Sequence, residues 1–66
     1  MEIRLEPQGK RVTLSGRRRA GELVRSLGLV AGTVMVIRGE DLLTDDEIVE
    51  DADVIELRAV ISGGRP

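Results

Sequence analysis

The sequence predicts an α+β domain in which a sheet lies with one face under a single helix. Two stretches of alternating polar and apolar residues come first, then one stretch of helical periodicity, then three β-rich stretches. No internal repeat or linker interrupts the 66 residues, so one domain accounts for the chain.

Glu2-Ile3-Arg4-Leu5-Glu6 alternates with the period of a half-buried strand. Pro7-Gln8-Gly9-Lys10 is turn chemistry, and Arg11-Val12-Thr13-Leu14 alternates again. The two read as a hairpin with Ile3, Leu5, Val12 and Leu14 inward. Ser15-Gly16 breaks the pattern. Ala20, Leu23, Val24 and Leu27 then fall on one face of a short helix. Gly28 stands where a left-handed residue ends a helix, and Leu29 can pack back onto the last turn. The helix start is poorer. Arg17-Arg18-Arg19 puts positive charge at the positive end of the dipole, and Gly21 costs helix propensity in the first turn.

Thr33-Val34-Met35-Val36-Ile37 reads as a strand, Arg38-Gly39-Glu40 as a tight turn and Leu42-Leu43 as a short strand. Thr44-Asp45-Asp46-Glu47 has the form of a capping box, so one helical turn is expected through Ile48 and Val49. Asp51-Ala52-Asp53 turns the chain into the final strand, Val54-Ile55-Glu56-Leu57-Arg58. Residues 1–61 are expected to form the domain and 62–66 a flexible tail.

Composition excludes several classes of function. A chain this short buries only about 60% of its unfolded surface, which leaves little room for a concave active site. There is no cysteine and no histidine, so thiol-base and Ser-His nucleophilic pairs and the usual zinc ligand sets are missing. No aromatic residue is present to stack on bases, and the net charge of −2 does not suit a polyanion partner. Direct nucleic-acid binding is not expected. No apolar run spans a bilayer and no signal peptide is visible, so a soluble, cytoplasmic protein that is not an enzyme is expected.

Five segments occur together in order: Ile3-Arg4-Leu5, Leu27-Gly28-Leu29, Val34-Met35-Val36-Ile37-Arg38-Gly39-Glu40, Asp53-Val54-Ile55-Glu56-Leu57 and Ile61-Ser62-Gly63-Gly64. With them the chain resembles the ubiquitin-like β-grasp sulfur carriers of thiamine, molybdopterin and tRNA thiolation, most of all the tRNA-thiolation type. The resemblance implies a mixed sheet of four to five strands packed on one helix. It also implies that the Gly64 carboxylate is adenylated by an activating enzyme that uses ATP, with no cofactor bound to the carrier itself. A sulfur donor then converts the adenylate to a thiocarboxylate. Some members of the family are also joined to lysines of target proteins through the same glycine.

Two positions depart from the family pattern. Arg65-Pro66 follow Gly64, so a processing protease cutting between Gly64 and Arg65 is expected if the tail is to react. Ala52 stands where relatives often carry Gly, and is strained if the position needs a positive φ. The glycines themselves have a physical sense. Ser62 and Gly63 would thread a narrow active site, and glycine puts no side chain beside the reacting carbon.

Strand parity suggests a contact surface. With Ile55 and Leu57 inward, Val54, Glu56 and Arg58 face away; with Met35 and Ile37 inward, Val34 and Val36 face away too. Ubiquitin-like proteins commonly bind partners on such a patch, so the resemblance implies Val34, Val36, Arg58 and Val60 as the contact for the activating enzyme, against the plainer reading of scattered surface aliphatics. Two further readings remain beside the carrier: a protein modifier conjugated through Gly64, and a β-grasp binding module with an idle tail.

Overall fold

The computed structural model describes residues 1–6 and 8–59. In chain order its elements are β1 (Glu2–Glu6), β2 (Lys10–Thr13), β3 (Arg18–Arg19), α1 (Ala20–Ser26), β4 (Val34–Arg38), β5 (Asp41–Leu43), β6 (Ile48–Val49) and β7 (Val54–Ala59). Five strands form one sheet in the order β2-β1-β7-β4-β5, and β3 pairs with β6 in a separate two-stranded ribbon. β1 and β7 run parallel; β1–β2, β4–β7 and β4–β5 are antiparallel. This is the mixed sheet and single helix of a ubiquitin-like β-grasp fold. The tail expected over 62–66 lies outside the described residues.

The parallel pairing of first and last strands sets the core. Ile3 stands opposite Ile55 and Leu5 opposite Leu57, so their side chains share the face under α1. Ile3, Ile55, Leu57, Leu23, Val24 and Val49 are fully buried, with Ala20, Val36, Leu43 and Met1 around them. Leu5, Val12, Leu14, Leu27 and Leu29 pack against this cluster from its edges, as the alternation requires. No buried polar side chain among the described residues lacks a partner, so the core is held by aliphatic packing alone.

The expected helical turn at Thr44–Val49 does not form. Glu47 does reach back, its Oε2 accepting from the Thr44 N–H at 2.7 Å, and the Glu47 N–H donates to the Thr44 carbonyl at 3.2 Å. That closes a single turn. Ile48 and Val49 then pair with Arg19 and Arg18 as a short strand. Both are β-branched, which suits the extended backbone, and the paired geometry buries Val49 completely. Ala52 carries no strain, because no non-glycine residue among those described has a positive φ.

Both ends of α1 are finished. Leu27 is the C-cap, Gly28 follows at φ 79°, and the Gly28 and Leu29 N–H groups donate to Arg25 and Val24 carbonyls at 3.0 and 3.2 Å. These two bonds make the Schellman ending that Gly28 foretells. At the other end, Arg19 at the N-cap offers no acceptor, and Glu22 takes the Arg19 N–H at 3.1 Å. The Ala20 and Gly21 N–H groups donate to the carbonyls of Glu47 and Asp45 at 2.8 and 3.0 Å. Gly21 is explained by this approach, since a Cβ there would stand 3.1 Å from the Asp45 Cβ and 3.3 Å from its carbonyl oxygen.

Candidate functional site

The described chain ends with β7, whose last residue is Ala59. β7 lies in the middle of the sheet, bonded to β1 on one side and β4 on the other. Its Ile55 and Leu57 are buried, so the strand that precedes Gly63-Gly64 in the chain is anchored in the core. Ser62, Gly63, Gly64 and Arg65, the residues expected to thread, react and be cut, lie outside the described residues, as does Val60.

Two recesses flank β7, one at this end of the strand and one near its start, on opposite faces of the sheet. On the helix side, Ala59 joins Leu5, Leu27, Leu29, Val34 and Leu57 in lining a shallow apolar groove of about 100 Å³. On the open side, Arg4, Ile37, Gly39, Val54 and Glu56 line a wider depression of about 200 Å³. The open face is a mosaic. Arg58 binds Glu56 at 2.7 Å and Arg4 binds Glu2 at 3.0 Å, while Val54 and Leu42 are exposed. Ile37 sits between Glu56 and Leu42 across the strands, and Met35 stands opposite Arg58. The hydrogen bond from Arg4, together with the nearby Arg11, holds the Glu2 carboxyl below its ordinary pKa.

The expected orientation of β4 is corrected here. Val36 is only 3% exposed and belongs to the core, and Val34 lines the groove on the helix side. The register decides this, because Val36 pairs directly with buried Leu57 and paired residues share a face. Met35 and Ile37 are therefore on the open face, together with Arg58 and Val54. Val34-Met35-Val36-Ile37 is apolar at every position, so alternation carries no sign of which parity turns inward. Only the pairing with β7 supplies it.

Several of the remaining charges hold loops together. Arg18 donates to the Gly16 and Ser15 carbonyls at 3.0 and 2.7 Å, and Arg17 pairs with Glu50 at 3.2 Å. Asp51 accepts from the Gly16 N–H at 2.6 Å. Asp53 accepts from the Glu50 N–H at 2.9 Å and from Arg38 Nη1 at 3.0 Å. Arg38 also donates to the Ile48 carbonyl, so it ties the 48–53 loop to β4. No group of carboxylates among the described residues is arranged to hold a metal ion. No helix among them is long and apolar enough to cross a membrane.

No family model matches the chain. It is 41% identical over 58 residues to "Sulfur carrier protein TtuB" of Thermus thermophilus, covering 88% of this chain and 89% of the relative. The chain belongs to the ubiquitin-like sulfur-carrier family. A sulfur carrier is itself the molecule acted upon, not a catalyst, and the described surface fits that role. It offers one shallow recess beside the last described residue of β7 and another on the open face near the start of that strand.

Proposed function

We propose that this chain carries sulfur as a thiocarboxylate on Gly64 and acts in the cytoplasm as a protein substrate in tRNA or cofactor-precursor thiolation. The observation that carries the reading is the likeness to a sulfur carrier across nearly the whole chain, joined to Gly63-Gly64 beyond a strand seated in the core. In the proposed sequence a protease first removes Arg65-Pro66. A Gly64 carboxylate oxygen then attacks the α-phosphorus of ATP on an activating enzyme, and pyrophosphate leaves. A persulfide sulfur of a donor protein displaces AMP from the acyl-adenylate to give an acyl disulfide. A second thiol then cleaves its S–S bond, which leaves the donor as a disulfide and the sulfur on the glycine carbonyl as a thiocarboxylate.

The activating enzyme is proposed to dock on the open face of the sheet. Met35, Ile37 and Val54 give it apolar contact there, and Arg58 a charge beside the tail root. The chain needs no bound cofactor in this scheme, since ATP is consumed by the partner.

The test is the intact mass of the protein isolated from its own host. Loss of Arg65-Pro66 with one oxygen replaced by sulfur is the expected result. Cleavage without sulfur, together with higher-mass conjugates in lysate, would favour a protein modifier. A full-length mass under every growth condition overturns both.

A further inference from the structure

A chain that presents an activated acyl group must contend with its own amines. The sequence contains nine arginines and a single lysine, Lys10. Guanidinium stays protonated and does not attack acyl groups, so the arginines are inert. The Met1 amino group is packed into the domain and donates to the Leu14 carbonyl. Lys10 is different. It is exposed, at the start of β2 beside the Gln8-Gly9 turn, and none of the ion pairs among the described residues involves it.

The sheet brings Lys10 to the root of the tail. Lys10 pairs with Leu5, and Leu5 pairs with Leu57, two residues before the last described residue of β7. Two strand spacings across and two residues along place the Lys10 and Ala59 Cα atoms about 12 Å apart. Lys10 has the same parity as Val12 and Leu14, and Ala59 the same as Leu57, so both lie on the helix side of the sheet. The five residues Val60–Gly64 reach up to about 17 Å from Ala59 when extended, before the lysine side chain adds its own length.

We propose that Lys10 is a self-acylation site of this chain, reached in cis by its own activated Gly64. The proposal rests on the activation of Gly64 argued above. Lys10 Nζ attacks the Gly64 carbonyl carbon of the acyl-adenylate or of a thioester. The C–N bond forms, AMP or the thiol departs with the bonding pair, and the surplus ammonium proton passes to water. The product is an internal isopeptide ring that retires the carrier. Tethering favours this ring over attack by a second molecule, because it holds the local amine concentration near the millimolar range.

The experiment bypasses the activating enzyme. Every described element lies within residues 1–59, so the 1–64 chain keeps the fold described here. It is prepared as a C-terminal thioester by intein thiolysis and incubated at mildly alkaline pH, with intact mass and fragmentation read over time. The expected product is a ring lighter by one thiol, with Lys10 joined to Gly64, formed at a rate independent of protein concentration. Lys10→Arg should give hydrolysis only. Added cysteamine, a small amine-thiol, should capture both thioesters equally, which shows that each is competent. Hydrolysis alone from the unmutated thioester, with capture intact, overturns the proposal and leaves the sulfur-carrier reading untouched. So does a ring that persists in Lys10→Arg, or a product that forms only between molecules.

Discussion

At its C-terminus α1 is closed by residues next to it in the chain; at its N-terminus it is closed by a loop far along the sequence. Gly28 and Leu29 fold back on Arg25 and Val24, a motif complete within six residues. Ala20 and Gly21 instead donate to Glu47 and Asp45, which lie beyond two further strands. The contrast teaches what a seven-residue helix needs. Such a helix is too short to be stable by propensity, so each end depends on partners outside the first or last turn. Where those partners are local, a glycine announces them. Where they are distant, the same kind of residue reads as a defect.

The largest expected effect breaks the distant end. In Gly21→Val the new side chain meets Asp45 at distances where the loop backbone must shift, while the Asp45 carbonyl is held by the Gly21 N–H. Overpacking of this kind costs about 2 kcal/mol. For a domain of this size that is a fall in melting temperature of roughly 8–16 °C. Calorimetry of the variant measures it. A variant as stable as the parent would mean that the loop yields freely and that Gly21 is not there for the close approach.

That residue also shows where sequence reasoning ends. The five strands of the main sheet, the buried face of the helix and the Schellman ending were legible because each is signalled by its own residues or near neighbours. Ile3, Leu5, Val12 and Leu14 declare their face by alternation, and Gly28 declares the helix end. The cause of Gly21 was not legible, since it depends on a loop that meets it only in the folded state. The same holds for β6: Thr44 and Glu47 do make half of a capping interaction, but pairing with β3 takes Ile48-Val49 into a strand. In the candidate site, Arg58 follows from the parity of β7. The facing of Val36 does not follow from β4, because β4 is apolar on both faces. The docking proposal accordingly moves to Met35 and Ile37.

The local end gives a smaller effect. Gly28→Ala forces a Cβ into a left-handed conformation, at φ 79°, with nothing within 4 Å to clash. The cost is therefore conformational alone, about 1 kcal/mol. Urea unfolding should show a lower midpoint with an unchanged slope. The comparison sharpens if Gly28→Asn recovers part of the loss, because asparagine tolerates this region and valine at position 21 has no such remedy.

The smallest effect lies at Asp53, where a local and a distant partner meet on one oxygen. Its carboxyl is held below the ordinary range first by the Glu50 N–H; desolvation opposes the shift, and the Arg38 hydrogen bond and charge add to it. A group whose folded pKa is depressed stabilises fully above its unfolded value, about 3.9, and loses that contribution as pH falls through the folded pKa. Asp53→Asn should therefore be less stable than the parent at neutral pH, by under about 1 kcal/mol for so open a pair. The gap should close as the pH is lowered below about 4. Urea midpoints taken from neutral to acid pH test this, and a gap that stays constant would assign the effect to lost geometry, not charge. Because the local bond is the larger cause, Arg38→Gln should keep most of the acid dependence. If it abolishes that dependence, the distant arginine controls Asp53, and this turn is governed like the N-terminus of α1, not its C-terminus.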